Sequence, residues 1–192
     1  EGVMGDGFWF EGSWGYHFYA MQPLLAWAEM LRNCGLDLYN GPFRMMFEAP
    51  FSALRPDDRL PEFHDNNGPS LIGTAPHYEI AFARYGDVRF AWPLVRSERL
   101  HLNALLFGMG ELPKEIPEMV QSTHLNHSGF IHLRKGKGIS QTYLALDYGP
   151  YGGGHGHPDK LAFILYGRGK VLAPDPGSIA YEIPLHQKWY KQ

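Results

Sequence analysis

The 192-residue sequence contains one cysteine, Cys34, which excludes an internal disulfide framework. It falls near the end of an apolar helical stretch, where a lone thiol is read as a small buried hydrophobe. No apolar run reaches the roughly 20 residues that a membrane-spanning helix needs. The opening EGVMGDGF has neither the basic region nor the apolar core of a secretory signal, so the chain shows no address. Charge of one sign is not in excess: 17 Lys and Arg against 20 Asp and Glu leave −3, with no basic footprint for nucleic acid. Repeats of fixed period and low-complexity segments are absent, and so is an initiating Met. The chain is therefore read as a piece of a longer protein.

Apolar and aromatic residues are plentiful. A hydrophobic content of 44% is ample for a core, in one domain or in parts of two. Aromatics make up 15%, including five Trp and eleven Tyr; such rings can stack on sugars, but core filling is the default role.

The most informative stretch is residues 148–178, YGPYGGGHGHPDKLAFILYGRGKVLAPDPGS. His155 and His157 sit two positions apart in a run of glycines. Ordering that run costs more backbone entropy than a merely structural turn requires. In extended chain, residues two apart share a face, so the two imidazoles can share one site. The bland alternative is a glycine-rich loop with two solvated histidines. Two apolar segments follow, residues 161–166 and 170–173, and a hairpin through Gly167-Arg168-Gly169 can bring Asp175 back towards His157. Imidazole plus carboxylate is a plausible half of a zinc site.

In chain order, residues 12–31 carry apolar positions Tyr16, Tyr19, Ala20, Leu24, Trp27, Ala28 and Leu31 at spacings of three and four. This predicts an amphipathic helix closed by Gly35, with Ser13 as a possible cap and a kink or late start at Pro23. Residues 41–54 are a second helical segment, shortened by Pro50. Residues 55–70, RPDDRLPEFHDNNGPS, read as a long loop. Further helices are predicted over 76–85 and 90–107, closed by Gly86 and Gly108. After Pro113 the pattern turns to strands, over 124–133 and 139–147. Helices first and strands second argue for two packed layers or domains rather than alternating βαβ units. The division is placed at residues 1–112 and 113–192.

The run GGGHGHPDK, its following apolar strand and the DPGS eighteen positions after the second histidine resemble the heparinase II/III-type polysaccharide lyases and their alginate-lyase relatives. DGFWFEGSWGYHFYA, with the long apolar helix after it, resembles the tyrosine motif of the same family. The resemblance touches both ends of the chain. It implies an α+β multidomain fold, the last helices of an α/α toroid followed by the start of an antiparallel β-sandwich.

It also implies the chemistry. Such lyases remove the C5 proton of a uronic acid and expel the 4-O substituent, which calls for an acid and a base within hydrogen-bond reach. Tyr16 matches the catalytic tyrosine, with Tyr19 one turn away as competitor, and His155 matches the catalytic histidine. His157 and Asp175 match two ligands of a structural zinc whose third is expected beyond Gln192. His186 is the only late histidine and is read as flanking sequence. The residues that neutralise the uronate carboxylate belong to an earlier helix, outside this chain. Glu11 and Trp14, beside Tyr16, are candidate substrate-binding residues, with capping or core roles as alternatives. His64 and Asp65 either line a sugar cleft or lie in a solvated Asp-Asn-Asn-Gly turn. Asp159 and Lys160 are read as a loop-buttressing ion pair. The expected partner is an acidic polysaccharide or oligosaccharide, in a periplasmic or secreted setting; the choice of polymer and the oligomeric state stay open.

Two other readings compete. A non-catalytic glycan-binding module could keep an aromatic cleft. A metal-dependent oxygenase could use His157-Pro158-Asp159 with His186 as a facial triad.

Overall fold

The computed structural model describes residues 2–118, 120–150, 153–158 and 160–189, without the side chains of 153, 186, 187 and 189. A helical part comes first: α1 (Trp14–Asn33), α2 (Gly41–Ala53), α3 (Ala75–Tyr85) and the short α4 (Leu102–Phe107). A five-stranded antiparallel sheet follows in simple meander order, β1 (Thr123–Leu125), β2 (Phe130–Lys135), β3 (Thr142–Asp147), β4 (Phe163–Gly167) and β5 (Lys170–Ala173). A last short helix, α5, spans Pro184–Trp189. No described helix is long and apolar enough to cross a membrane.

Helix α1 forms where the 3.6-residue period predicts one, but it buries a different face. Trp14, His17, Phe18, Met21, Leu25 and Ala28 point inward, while Tyr19 and Trp27 are 73% and 65% exposed. Aromatic residues occur all round this helix, so periodicity alone cannot choose the face, and a histidine on the winning stripe disguises it. Pro23 lies inside the helix without ending it. Ser13 occupies the N-cap position without capping; its hydroxyl donates to the Asp65 carbonyl at 2.8 Å. Cys34, just past the last turn, is exposed rather than buried.

Pro50 does not shorten α2, which continues to Ala53. Proline has no N–H to give the carbonyl four residues back, that of Met46. The His17 ring supplies the missing donor, its Nε2 lying 2.9 Å from Met46 O, while its Nδ1 accepts from Trp9 N at 3.2 Å. Those two bonds fix one neutral tautomer in a fully buried site.

The predicted helix over 90–107 is broken. Pro93 and the left-handed Arg99 (φ 53°) divide it into two single 3₁₀ turns, Val88–Ala91 and Leu94–Arg96, before α4. In the strand region the stretch 124–133 folds as two strands. They are joined by a tight turn at Gly129 (φ 82°), where a Cβ would sit 2.0 Å from the Gly149 backbone.

The helices and the sheet share one hydrophobic core, which runs from Phe8 and Phe47 to Phe130, Tyr143 and Ile164. Polar contacts fix how they dock. The carbonyls at the end of α2 lack helical partners, and side chains of the sheet satisfy them. Thr123 Oγ1 and Arg134 Nη2 each donate to Ser52 O at 2.6 Å, Tyr143 OH donates to Ala53 O at 2.7 Å, and Arg134 Nη2 also reaches Leu54 O at 3.0 Å. A guanidinium at a helix C-terminus is also favourably placed against the helix dipole.

Buried neutral histidines make this core sensitive to acid. Burial lowers His17 from 6.5 to about 4; burial, then the Arg134 charge, lowers His132 to about 3. The unfolded chain takes up these protons below pH 6.5 and the folded chain does not. Stability therefore falls as pH drops from 6.5 towards 4, by about 1.4 kcal/mol per pH unit for each histidine. Urea unfolding between about pH 7 and pH 5 should show a shallower decline in His132→Phe than in wild type; parallel profiles would show that His132 is not buried neutral.

Candidate active site

The loop 55–70 is the centre of the site. His64, Asp65 and Asn66 are only 3%, 5% and 4% exposed, so this is not a solvated turn. His64 takes a left-handed conformation (φ 66°), uncommon for a residue with a side chain and tolerated where the surroundings hold it. Its Nε2 lies 2.9 Å from Asp147 Oδ2 at the end of β3, and its Nδ1 accepts from His157 N at 3.0 Å. The Asp147 carboxylate also accepts from Gly149 N at 2.8 Å. His64 is thus a strut between the loop, the sheet and the glycine-rich turn. Both ring nitrogens of this candidate substrate-binding residue therefore face protein.

Asp65 points the other way and gathers the residues that carry chemistry. Its Oδ2 lies 3.1 Å from His155 Nδ1, and its Oδ1 lies 2.9 Å from His157 Nε2. Its backbone N donates to His155 O at 3.0 Å. The two imidazoles do share a site, with this carboxylate between them. A third donor, Tyr181 OH, reaches Asp65 Oδ2 at 3.1 Å. Because the Tyr181 proton goes to Asp65, the 2.8 Å bond between Tyr181 OH and Tyr16 OH has Tyr16 as donor. Burial and the Asp65 carboxylate, through its charge and the bond it accepts, push Tyr181 well above the ordinary phenol range, so it stays protonated.

Tyr16 and His155 lie face to face, ring centroids 3.4 Å apart and planes 17° from parallel. Of the two competing tyrosines, Tyr16 is therefore the one at His155; Tyr19 is largely exposed. With Nδ1–H engaged by Asp65, His155 presents Nε2, which lies 3.8 Å from Glu11 Oε1. Glu11 is held in turn by Trp9 Nε1–H, which donates to Oε2 at 2.8 Å. Trp14 is 2% exposed and packs edge-on to Phe8 at 4.4 Å, so it is a core residue with no face for a sugar.

Asp175 lies just beyond β5, and its Oδ1 accepts from Gly177 N at 2.8 Å. Among the described residues no group of three or more His, Cys, Asp or Glu is arranged to hold a metal ion. His157 and Asp175 have the right chemistry for zinc, but two donors do not make the four-coordinate set that the ion takes. Asp159 and the His186 side chain fall outside the described residues.

Sequence reasoning missed Asp147 and Tyr181 and left Asp65 undecided. Asp147 looked like an ordinary strand end, and Tyr181 lay in a stretch with no periodicity. The flanking Pro61 and Phe63, both buried, were the available sign that the loop runs inward.

Residues 119–192 match the family described as Heparinase II/III-like, C-terminal. The whole chain is similar in fold to a heparinase III with methylated lysines, at TM-score 0.71 and 24% identity over 95% of this chain and 27% of that one. It is also similar to the heparan sulfate lyase HepC from Pedobacter heparinus, at TM-score 0.70 and 23% identity over 100% of this chain and 29% of that one. A further heparinase III structure gives TM-score 0.70 and 21% identity over 95% of this chain and 29% of that one. At these identities the likeness is one of fold, and the heparinase-like order of helices followed by an antiparallel sheet is the order found here. The chain spans less than a third of the length of these solved structures. No curated protein matches it by sequence.

Proposed function

We propose that this chain carries the acid and base of a polysaccharide lyase, which cleaves a uronic-acid-containing glycan by β-elimination. The observation that carries the reading is the stacked Tyr16–His155 pair, tied through Tyr181 and Asp65 into one hydrogen-bonded chain. At rest His155 holds its proton on Nδ1, against Asp65, and a lone pair on Nε2. Tyr16 holds its proton on the phenol oxygen. His155 Nε2 then takes the C5 proton, the C5 electron pair forms the C4–C5 double bond, the C4–O4 bond breaks, and Tyr16 gives its proton to the departing O4. Asp65 accepts from Nδ1–H throughout and so keeps the ring oriented with Nε2 towards the sugar. Residues outside this chain complete the uronate site on this reading, as part of the α/α toroid to which these helices belong. The polymer size such an enzyme acts on suits a periplasmic or secreted setting.

The experiment is to incubate the full-length protein with a panel of uronic-acid polysaccharides and follow ultraviolet absorbance. Unsaturated uronate raises it if the reading is right. Binding without any rise across the panel would instead favour a glycan-binding module.

The same proposal includes a structural zinc held by His157 and Asp175, with a further ligand beyond Gln192. The ion would supply folding energy and no chemistry at the sugar. Asp175→Ala should lose bound zinc, measured by elemental analysis, and melt at a lower temperature. Unchanged zinc content in that variant removes Asp175 from the set.

A further inference from the structure

A cleft of about 590 Å³ opens beside the Tyr16–Tyr181 hydroxyl pair, and Arg59, Asn67, Ser70 and Ser178 also line it. Its two walls are held together across the chain: Ser178 N donates to Asn66 O at 3.1 Å. At Gly177 (φ 63°) a Cβ would lie 2.3 Å from that same carbonyl, so only glycine lets the strap 177–181 approach so closely. Arg59 is fixed at its backbone, bridging Ser70 in antiparallel register. Its exposed guanidinium gives one bond, from Nη2 to Asn67 O at 3.0 Å.

Arg59 differs from five arginines that are engaged by carboxylates. Arg44, Arg55, Arg84, Arg89 and Arg99 each hold a carboxylate within the described residues. No such partner is described for Arg59, which stands at the cleft with most of its five donors unused. Asp65, the carboxylate that lines the cleft, already accepts from two imidazoles and a phenol. A planar guanidinium fork beside hydroxyls and an amide suits a sugar that carries an anionic group.

We propose that Arg59 recognises the carboxylate or sulfate of the sugar adjacent to the one that reacts, making this cleft an anionic-sugar subsite and Arg59 a specificity-determining residue. The inference rests on the lyase reading for its place in the reaction, but the binding it predicts does not depend on cleavage.

The test uses the full-length protein, wild type and Arg59→Ala and Arg59→Lys, with two probes: a sulfated heparan sulfate tetrasaccharide and an unsulfated uronate tetrasaccharide. Calorimetric Kd for the matching probe should weaken roughly tenfold or more in Arg59→Ala, with partial recovery in Arg59→Lys. For a probe that is cleaved, KM should rise in parallel while kcat changes by less than about threefold, the pattern of lost uniform binding. Loss on the sulfated probe alone identifies sulfate, and loss on both identifies the carboxylate. Wild-type affinity should also fall more steeply with salt than that of Arg59→Ala. Equal Kd values in wild type and Arg59→Ala on both probes, or no wild-type binding to either, overturn the subsite. If Arg59-dependent binding is found but no polymer yields unsaturated uronate, the lyase reading fails and the subsite stands.

Discussion

Replacing His155 with alanine should abolish elimination in the full-length protein, lowering kcat by roughly 10³-fold or more, because it removes a positioned general base with no neighbour able to take its place. Glu11 lies 3.8 Å from Nε2, but Trp9 Nε1–H holds its carboxylate. The fold should survive the change. The His155 side chain is 24% exposed, and Asp65 keeps two of its donors, His157 Nε2 and Tyr181 OH. Kinetics by ultraviolet absorbance, with thermal unfolding as the control, read the two effects separately. Normal turnover by a well-folded His155→Ala protein would defeat the assignment of the base.

What could be read in advance followed from local rules. The GHGH spacing, the hairpin through Gly167-Arg168-Gly169 and the succession of helices then strands are properties of contiguous sequence, and the structure has all three. What could not be read depends on partners far along the chain. Met46 O is satisfied by a ring 29 positions away, which is why Pro50 does no harm to α2. Asp65 looks like a turn residue between His64 and two asparagines, and its three side-chain partners lie 90 or more positions away. The buried face of α1 differs from the periodic one because His17, polar by composition, is buried by the bonds it makes to Trp9 and Met46. In each case a long-range hydrogen bond decides the outcome, and no periodicity records it.

The second large effect is expected at Asp65, whose side chain is completely buried among donors. Asp65→Ala leaves His157 Nε2, His155 Nδ1 and Tyr181 OH without their acceptor; stranding the buried one, His157 Nε2, costs about 1–3 kcal/mol, while the other two are open enough for water to replace the lost group. Asp65→Asn separates structure from function. The amide has nearly the same shape but only one oxygen, and its nitrogen donates, so it cannot accept from two ring N–H groups at once. One imidazole must change tautomer. If His155 is the one that turns, its proton moves to Nε2, where the lone pair is needed, and kcat should fall by roughly 10²-fold to 10⁴-fold while most stability is retained. Tyr181 would at the same time lose the charged acceptor that fixes its proton, which loosens the direction of the Tyr16 bond as well. Stopped-time elimination assays on Asp65→Asn, with NMR of the imidazole nitrogens to report the tautomer, test both steps. A variant with wild-type kcat would mean that neither Tyr16 nor His155 depends on this carboxylate, and the hydrogen-bonded chain would be structural only.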